Sequence, residues 1–259
     1  MSNPRGFRTL TPYPIVQDVP GLIDFLKDTF GPSHTVEETF RAVGSAGGYH
    51  CEIRIGDCMM MIGGGGSDVA WKGESQPMAF HIYVPDVDEA YARALVAGAT
   101  SLAQPTDQPW GERTANVKDP FGNNWYIATF QGENYFSEGA PTIQPVLHPP
   151  HSAPVIEFLV RAFGADESGR ATSDEGAILH TTIKIGDAAM ELIDAAWIYQ
   201  PMPGMFYLYV PDVDATYRRA IEAGAKSIGE PVDHDYGDRS GGVEAFGNKW
   251  YIATHLKTA

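Results

Sequence analysis

The chain has 259 residues, of which 43% are hydrophobic and 20% charged, and its formal net charge is −15 at pH 7. The length is enough for two ordinary domains, and the composition is that of a soluble globular protein. The negative charge disfavours nucleic acid and anionic membrane surfaces as partners, because both repel it. The N-terminal sequence MSNPRGFRTL has no apolar core, and no stretch reaches the ~20 apolar residues of a membrane span, so a cytoplasmic location is predicted.

In chain order, the first predicted elements are a strand over residues 10–16 and a helix that ends at Gly31. The helix sequence VPGLIDFLKDTFG carries apolar residues with the spacing of one helical face. The same pattern returns as SAPVIEFLVRAFG, where Ser152 is the predicted N-cap and Gly164 follows the last turn. The two predicted apolar stripes are Leu22, Phe25, Leu26 and Phe30, and Val155, Phe158, Leu159 and Phe163.

A polar strand-like run follows each of these helices, and a hairpin follows that run. The two hairpin sequences are YHCEIRIGDCMMMI at 49–62 and LHTTIKIGDAAMELI at 179–193. Alternating apolar residues around a central Gly-Asp pair are typical of two antiparallel strands joined by a tight turn. Each half of the chain therefore begins with strand, helix and three further strands.

The cysteines Cys51 and Cys58 flank the first of these turns, which suggests a disulfide. A two-residue turn would instead place Cys51 opposite Ile62 and Cys58 opposite Ile55, so the two sulfurs would not meet. Together with the expected cytoplasmic setting, this register predicts two buried, reduced thiols.

The pattern then repeats within each half. A strand, FHIYV at 80–84, precedes the helical sequence PDVDEAYARALVAGA, in which Asp86 and Glu89 have the spacing of a capping box. The counterpart PDVDATYRRAIEAGA lies in the second half. Both halves close on nearly the same strand, FGNNWYIAT at 121–129 and FGNKWYIAT at 246–254. The second copy reads EAFG where the first reads DPFG, which predicts a changed turn there.

The chain is thus predicted to be an α+β protein of four βαβββ modules in two tandem domains. The first domain covers residues 1–131, with modules at about 7–64 and 77–131. The second covers 142–259, with modules at about 142–194 and 203–256. A polar linker at 132–141 separates the domains. The run GGGGS at 63–67 is interpreted as a flexible connection between modules, because it lacks the Lys and Ser/Thr of a phosphate-binding loop.

Two paired modules that carry YVPDVDEAYARALVAGA, WGER and DPFGNNWYIAT in this order resemble the vicinal oxygen chelate superfamily. That superfamily includes glyoxalase I, bleomycin-resistance proteins, fosfomycin-resistance enzymes and extradiol dioxygenases. The segments HCEIRIGDCMMM and WGER…DPFGNNW are most similar to its PhnB-like, glyoxalase/bleomycin-resistance-like branch. The resemblance implies two glyoxalase-like domains whose curved, mixed sheets form half-barrels around a cavity, with the helices outside. It implies little about activity, because this fold supports many chemistries.

Strand alternation sorts the side chains into a helix-packed core and a face toward the expected cavity. The candidate ligand-binding residues are those predicted on the cavity face or on a loop above it. In the first domain they are Tyr13, His50, Glu52, Arg54, Met59, Met61, His81, Tyr83, Trp110 and Tyr126. In the second domain they are Gln144, His180, Glu191, Tyr207, Tyr209, Tyr236 and Tyr251.

Metal-dependent members of the superfamily hold a divalent ion with His, Gln and Glu side chains on the first and last strands of the modules. Carrying these positions over gives Thr11, Met61, Ala79 and Tyr126 in the first domain, and Gln144, Glu191, Met205 and Tyr251 in the second. A catalytic metal usually takes about three protein ligands, and neither set supplies them. No metal and no cofactor are therefore predicted. The alternative is a displaced metal site in the second domain, formed by His148, His151, His180 and Glu191.

Three further features are chemical candidates, and two of them have a structural alternative. His50 and His180 recur at the same place in the two hairpins, where each is either a general base or a histidine tied to a neighbouring carboxylate. His81 is a titratable donor among aromatic rings. Arg113 and Arg239 either face a ligand or clamp carboxylates of their own loops.

These observations favour metal-independent binding or sequestration of a small aromatic or amphipathic molecule, because the candidate residues combine rings and thioethers with a few polar groups. The alternative is a metal-dependent lyase, isomerase or dioxygenase with the displaced site. A third reading is a partner-binding scaffold. The two domains are expected to pair within the chain, and a further homodimer is left open, as is the identity of the ligand.

Overall fold

The computed structural model describes residues 6–44, 48–64, 74–132, 141–196 and 199–256. The chain forms two compact units. The first unit contains residues 13–145, and the second contains residues 146–259 together with 1–12. Most of the predicted linker, 133–140, and residues 65–73, which include the last three residues of the GGGGS run, lie outside the described residues. The division into domains at 132–141 therefore stays a prediction.

Strand β1 (Leu10–Pro12) belongs to the second unit, and the first unit begins after it. The elements of its first module are β2 (Ile15–Val16), α1 (Val19–Phe30), β3 (Val36–Val43), β4 (Tyr49–Ile55) and β5 (Cys58–Gly64). Those of its second module are β6 (Ala79–Tyr83), α2 (Val87–Val96), β7 (Thr100–Asp107), β8 (Glu112–Lys118) and β9 (Asn124–Phe130). One sheet has the order β2-β5-β4-β3, and the other contains β6-β9-β8-β7.

The second unit repeats this plan. Strand β10 (Ile143–Leu147) starts in the first unit beside β6 and ends in the second beside β13. It is followed by α3 (Ser152–Phe163), β11 (Asp166–Thr172), β12 (Ile178–Ile185) and β13 (Ala188–Leu192). The last module consists of β14 (Met205–Tyr209), α4 (Val213–Glu222), β15 (Lys226–Asp233), β16 (Asp238–Ala245) and β17 (Asn248–His255). Its sheet has the order β1-β14-β17-β16-β15.

The predicted single strand over residues 10–16 is two strands with different partners. Strand β1 runs antiparallel to β14, with Leu10 opposite Leu208, whereas β2 runs parallel to β5. Pro12 and Pro14 explain the interruption, because proline has no backbone N–H to donate to a ladder.

The predicted N-cap of α3 is also wrong by one residue. His151 occupies the cap position, and its side chain makes no capping hydrogen bond. The backbone N–H of Ser152 donates instead to Asp194 Oδ1 at 2.6 Å. A residue 42 positions away therefore satisfies this end of the helix, which local sequence does not reveal.

Each unit has a core between its helices and one face of its sheet. In the first unit Trp125 of β9 stacks on Phe80 at 4.6 Å between ring centres and meets Phe30 of α1 at 5.0 Å. In the second unit Trp250 stacks on Phe206 at 4.5 Å and meets Phe163 at 5.1 Å. Both indoles are fully buried. The closing strands thus anchor the helix-packed side, as the alternation of FGNNWYIAT predicts.

The first hairpin has the predicted register. Cys51 pairs with Ile62, and Ile55 pairs with Cys58 across the Gly56–Asp57 turn. Both cysteines are buried free thiols. The prediction of reduced cysteines is confirmed, because this register keeps the two sulfurs apart.

The same Gly-Asp turns also hold the chain that precedes a neighbouring strand. In the first unit Asp57 Oδ1 accepts the N–H of Thr142 at 2.9 Å. In the second unit Asp187 Oδ1 accepts both the N–H and the hydroxyl of Thr9, at 2.7 and 2.8 Å. Each contact pins the start of a strand to the tip of a hairpin in its own unit.

The turns before the two closing strands differ, as the change from DPFG to EAFG predicts. In the first unit Asp119 is 4% exposed and accepts four hydrogen bonds, two from backbone N–H groups and two from the side chains of Asn123 and Trp125. In the second unit β16 and β17 join directly through Phe246 and Gly247, both with positive φ. Trp250 Nε1 has no hydrogen-bond partner among the described residues.

Within the described residues, no helix combines the length and apolar character that crossing a membrane requires.

Candidate functional site

The first unit gathers aromatic side chains around one buried carboxylate. Phe80 packs toward the helices, so alternation along β6 places His81 and Tyr83 on the opposite face of the sheet. Tyr83 donates its hydroxyl to Glu112 Oε1 at 2.8 Å, and Trp110 donates its indole N–H to Glu112 Oε2 at 2.8 Å. The rings of His81 and Tyr83 lie 4.7 Å apart. We call these four residues the Glu112 cluster.

Strand pairing fixes the position of this cluster. His81 pairs with Tyr126 of the closing strand, and Glu112 pairs with Phe130. Tyr126 is buried, whereas Trp110 is 64% exposed. Because Glu112 is only 8% exposed, its charge depends on the phenol and the indole for solvation. The arrangement offers aromatic surface beside a fixed negative group.

The second unit has an equivalent arrangement with different chemistry, which we call the Asp238 cluster: Tyr207, Tyr209, Asp238 and His255. Both tyrosine hydroxyls donate to Asp238 Oδ2, at 3.0 and 3.1 Å. His255 Nδ1 lies 2.8 Å from Asp238 Oδ1. Burial, and after it the charge of Asp238, raises the pKa of Tyr207 above its usual value, which keeps this phenol neutral.

Arg113 of β8 and Arg239 of β16 each clamp two carboxylates of their own unit. Arg113 binds both oxygens of Asp88, at 2.7 and 2.9 Å, and reaches Asp107 at 3.0 Å. Arg239 binds Asp214 and Asp233 in the same manner. The Arg113 guanidinium lowers the pKa of Asp88. The geometry supports an internal clamp, but its bidentate partners Asp88 and Asp214 lie on helices α2 and α4 and not on the loops as predicted.

The recurring hairpin histidines each lie near a carboxylate. His50 Nδ1 is hydrogen-bonded to the Tyr13 hydroxyl at 2.7 Å, and its Nε2 lies 3.7 Å from Glu52 Oε1. His180 Nε2 lies 3.7 Å from Glu191 Oε2.

The register explains how two different sequence positions supply this carboxylate. In the first hairpin Glu52 pairs with Met61, whereas in the second Thr182 pairs with Glu191. The acid has therefore moved to the other strand of the same cross-strand pair, and a histidine remains beside it in both units.

The other candidate residues are dispersed. Met59 and Met61 are buried in β5, whereas Arg54 is exposed. Gln144 is buried in β10. Tyr251 pairs with Tyr207, and Tyr236 is 62% exposed and stacks on His234 at 4.8 Å.

The positions that hold the metal in metal-dependent relatives do not form a ligand set here. Thr11 lies in the second unit opposite Tyr207, and its buried hydroxyl has no hydrogen-bond partner among the described residues. Met61, Ala79 and Tyr126 supply a thioether, a methyl group and a phenol, which are poor ligands for a divalent ion.

The alternative metal site predicted in the second domain does not form a ligand set either. His151 is exposed at the start of α3, and His148 is buried, which lowers its pKa to about 4. Over the ranges that the structure describes, no three His, Cys, Asp or Glu side chains come close enough together to hold a metal ion. The donors that the structure describes therefore do not fit a catalytic metal.

Sequence reasoning misses the centre of each cluster. It does not single out Glu112, Asp238 or His255. A signal for both acids exists, because WGER and YGDR place an acid at the same point of each repeat. Continuing the alternation of Tyr251 and Ala253 to the end of the closing strand also brings His255 to the same face.

Comparison with known proteins agrees with the fold. Over 126 residues the chain is 35% identical to an uncharacterized protein of Mycobacterium bovis, covering 46% of this chain and 80% of that protein. An uncharacterized protein of Mycobacterium tuberculosis matches at the same identity, with 72% of that protein covered.

Among solved structures, glyoxalase I from Zea mays superposes with a TM-score of 0.70 at 13% identity, over 96% of this chain and 92% of that one. A putative dioxygenase from Bacillus subtilis superposes with a TM-score of 0.61 at 14% identity, over 95% and 84% of the two chains. At these identities the likeness shows the fold alone.

The family model described as Glyoxalase/Bleomycin resistance protein/Dioxygenase superfamily matches residues 14–127 and again 148–252. The two segments confirm the predicted tandem pair of glyoxalase-like domains. The chain therefore belongs to the Glyoxalase/Bleomycin resistance protein/Dioxygenase superfamily.

Proposed function

We propose that the protein binds a small aromatic or amphipathic organic molecule without the help of a metal ion. The observation that carries this proposal is the Glu112 cluster, in which rings surround a carboxylate held by two hydrogen bonds. A planar ligand can stack on such rings, and the polar edge of the cluster can orient it. The Asp238 cluster would provide a second such face.

The burial and hydrogen bonding of the Glu112 cluster support a role in binding. Tyr83 is 6% exposed and Glu112 8%, so the carboxylate and its phenol are already desolvated and fixed. Trp110 is exposed yet tied to the same carboxylate through its indole N–H. A ligand that covers this indole would bury a large apolar ring without first having to order it.

Trp110 provides the direct test. Planar aromatic compounds, beginning with 5-nitroindazole, should quench tryptophan fluorescence and release heat in a calorimetric titration. Replacement of Trp110 by Ala should weaken binding to the first unit by roughly tenfold, as loss of a buried aromatic contact usually does. Tyr91→Phe is the matched control, because Tyr91 bonds Ser101 outside the cluster.

The role of a metal is tested in the same titration. Binding should be unchanged after EDTA treatment, because the proposal assigns no step to an ion. Loss of binding in EDTA that zinc or manganese restores would overturn the proposal. The cytoplasmic setting and the small-molecule partner are part of this proposal, and sequestration is its simplest biological form.

A further inference from the structure

The Asp238 cluster contains a histidine, His255, to which the proposed binding function assigns no role. His255 is the last residue of β17 and pairs directly with Asp238 of β16. Its Nδ1 lies 2.8 Å from Asp238 Oδ1. An ionised carboxylate only accepts hydrogen bonds, so this contact places the imidazole hydrogen on Nδ1 and leaves the lone pair on Nε2.

The surroundings of Asp238 strengthen this orientation. The carboxylate is 5% exposed and receives the hydroxyls of Tyr207 and Tyr209 on its other oxygen. With Oδ2 occupied in this way, Oδ1 is the oxygen that serves His255. The histidine side chain is 44% exposed, so a ligand can reach it.

The imidazole of His255 lies on the face of the sheet that carries the candidate ligand-binding residues of the second unit. Along β17, Trp250 and Ile252 are buried on the helix side, and Tyr251, Ala253 and His255 alternate with them. Tyr251 pairs with Tyr207 in the adjacent β14. A buried carboxylate, an oriented imidazole and an aromatic face therefore occur together.

At the matching position, the first unit has a different side chain. Phe130 occupies the position of His255, opposite Glu112, and an indole takes the remaining oxygen of that carboxylate. The sheet therefore accepts a phenylalanine at this place. At this position the two units share the same strand pairing and differ only in their side chains.

We propose that the second unit carries a proton-transfer site in which His255 Nε2 is the general base and Asp238 is the positioning residue. This rests on the proposed function, since it requires that the face bind an aromatic ligand. The substrate class is an aromatic compound with a weakly acidic C–H or O–H group. That bond breaks, its electron pair stays on the ligand, and the proton forms an N–H bond at Nε2, so an imidazolium paired with Asp238 results.

The test uses 5-nitrobenzisoxazole, whose ring opening reports proton removal. A base takes the hydrogen on C3, the electron pair of that bond forms a nitrile, and the N–O bond breaks to give a coloured cyanonitrophenolate. Full-length protein should accelerate this reaction above buffer. The substitution H255F, which copies the Phe130 of the first unit, should lower kcat/KM by about a hundredfold or more, because a positioned general base usually contributes at least that much.

Further variants separate the roles. D238N should lower kcat while KM changes less than twofold, because the ring would lose its orientation without losing ligand contact. H151F, at an exposed histidine of the same unit, should behave as the unchanged protein. Introducing the histidine and the shorter acid into the first unit, F130H with E112D, should restore part of the rate to H255F.

The outcomes are distinct. If H255F reacts as fast as the unchanged protein, or if the protein does not accelerate the reaction, the proton-transfer proposal is wrong. Binding of unreactive 5-nitroindazole separates the two proposals. Retained binding in that case would leave the binding function standing, whereas absence of binding to both units would remove both.

Discussion

Asp119 shows how much of a turn can depend on one side chain. Its carboxylate receives the N–H groups of Phe121 and Asn123 at 2.9 Å, the amide of Asn123 at 2.8 Å and the indole of Trp125 at 2.9 Å. All of these donors would be left unpaired if the acid were removed. An unpaired buried donor costs more free energy than the hydrogen bond itself contributes.

We therefore expect Asp119→Ala to lower the free energy of unfolding by about 2–4 kcal/mol, measured as a shift of the urea midpoint. Glu244→Ala is the matched control, because Glu244 occupies the same place in the other repeat, and it should cost about 0.5 kcal/mol or less. Equal losses in the two variants would contradict the role assigned to Asp119.

His148 should make stability depend on pH. Burial lowers its pKa from 6.5 to about 4, so the folded chain holds this imidazole neutral while the unfolded chain protonates it. The stability that this neutral histidine allows is fully present above pH 6.5 and decreases as the pH falls toward 4. The loss in the free energy of unfolding should reach about 3 kcal/mol at pH 4. Urea unfolding at pH 7 and pH 4.5 measures it.

The variant His148→Gln should lose less stability between these two pH values than the unchanged protein does. His151→Gln, three residues further along and exposed, should lose as much as the unchanged protein. Since other groups titrate in the same range, the difference between the two variants is the quantity that matters. No difference would mean that His148 binds its proton equally well in the folded chain.

Among the elements, the two Gly-Asp hairpin turns also contact residues that are far away in the sequence. Gly56 has a φ of 59°, and a Cβ added there would lie 2.5 Å from Thr142 Oγ1. A Cβ on Gly186, with a φ of 60°, would collide with the hydroxyl of Thr9. These two glycines allow the positive φ of the turn, and they also leave room for the threonine that packs against it.

Gly56→Ala and Gly186→Ala should each cost about 2 kcal/mol or more, because backbone strain and collision add. Gly169→Ala tests the strain alone, since Gly169 also has a positive φ of 65° but no neighbour within 4 Å of an added Cβ. It should cost about 1 kcal/mol. Thermal or urea unfolding of the three variants gives the comparison, and similar losses in all three would show that the docking contact adds nothing.

In the whole molecule, the first strand of the chain does not belong to the unit that follows it directly in the sequence. Strand β1 completes the sheet of the second unit, where Leu10 is 5% exposed and Thr9 accepts the N–H of Tyr209 at 2.8 Å. Phe7 packs against the Tyr209 ring at 5.8 Å. The N-terminal residues therefore support the Asp238 cluster from the edge of its sheet.

Deleting residues 1–12 should destabilise the second unit selectively, because it exposes the edge of β14 and removes the contacts of Asp187. Hydrogen–deuterium exchange in β14 should accelerate by roughly tenfold or more. Strand β6, in the first unit, is the internal control and should exchange as before. Equal acceleration in both strands would show that β1 stabilises the chain as a whole.

Elements and registers that depend on neighbouring residues could be read from the sequence. The Gly-Asp turn determines the pairing of Cys51 with Ile62, because a two-residue turn leaves no freedom of register. The core positions of Trp125 and Trp250 follow from strand alternation. The hydrogen bond from Tyr83 to Glu112 could not be predicted in this way, because the two residues are 29 positions apart and on different strands.

The repeated modules, their helices and hairpins, and the helix-packed positions of Trp125 and Trp250 were predictable, because they depend on short-range periodicity and turn chemistry. The pairing of β1 with β14, the contacts of Arg113 with Asp88 and Asp107, and the contact of His255 with Asp238 become visible only in the folded chain. Such pairings join residues far apart in the chain, and packing and desolvation select them from many that local pattern allows.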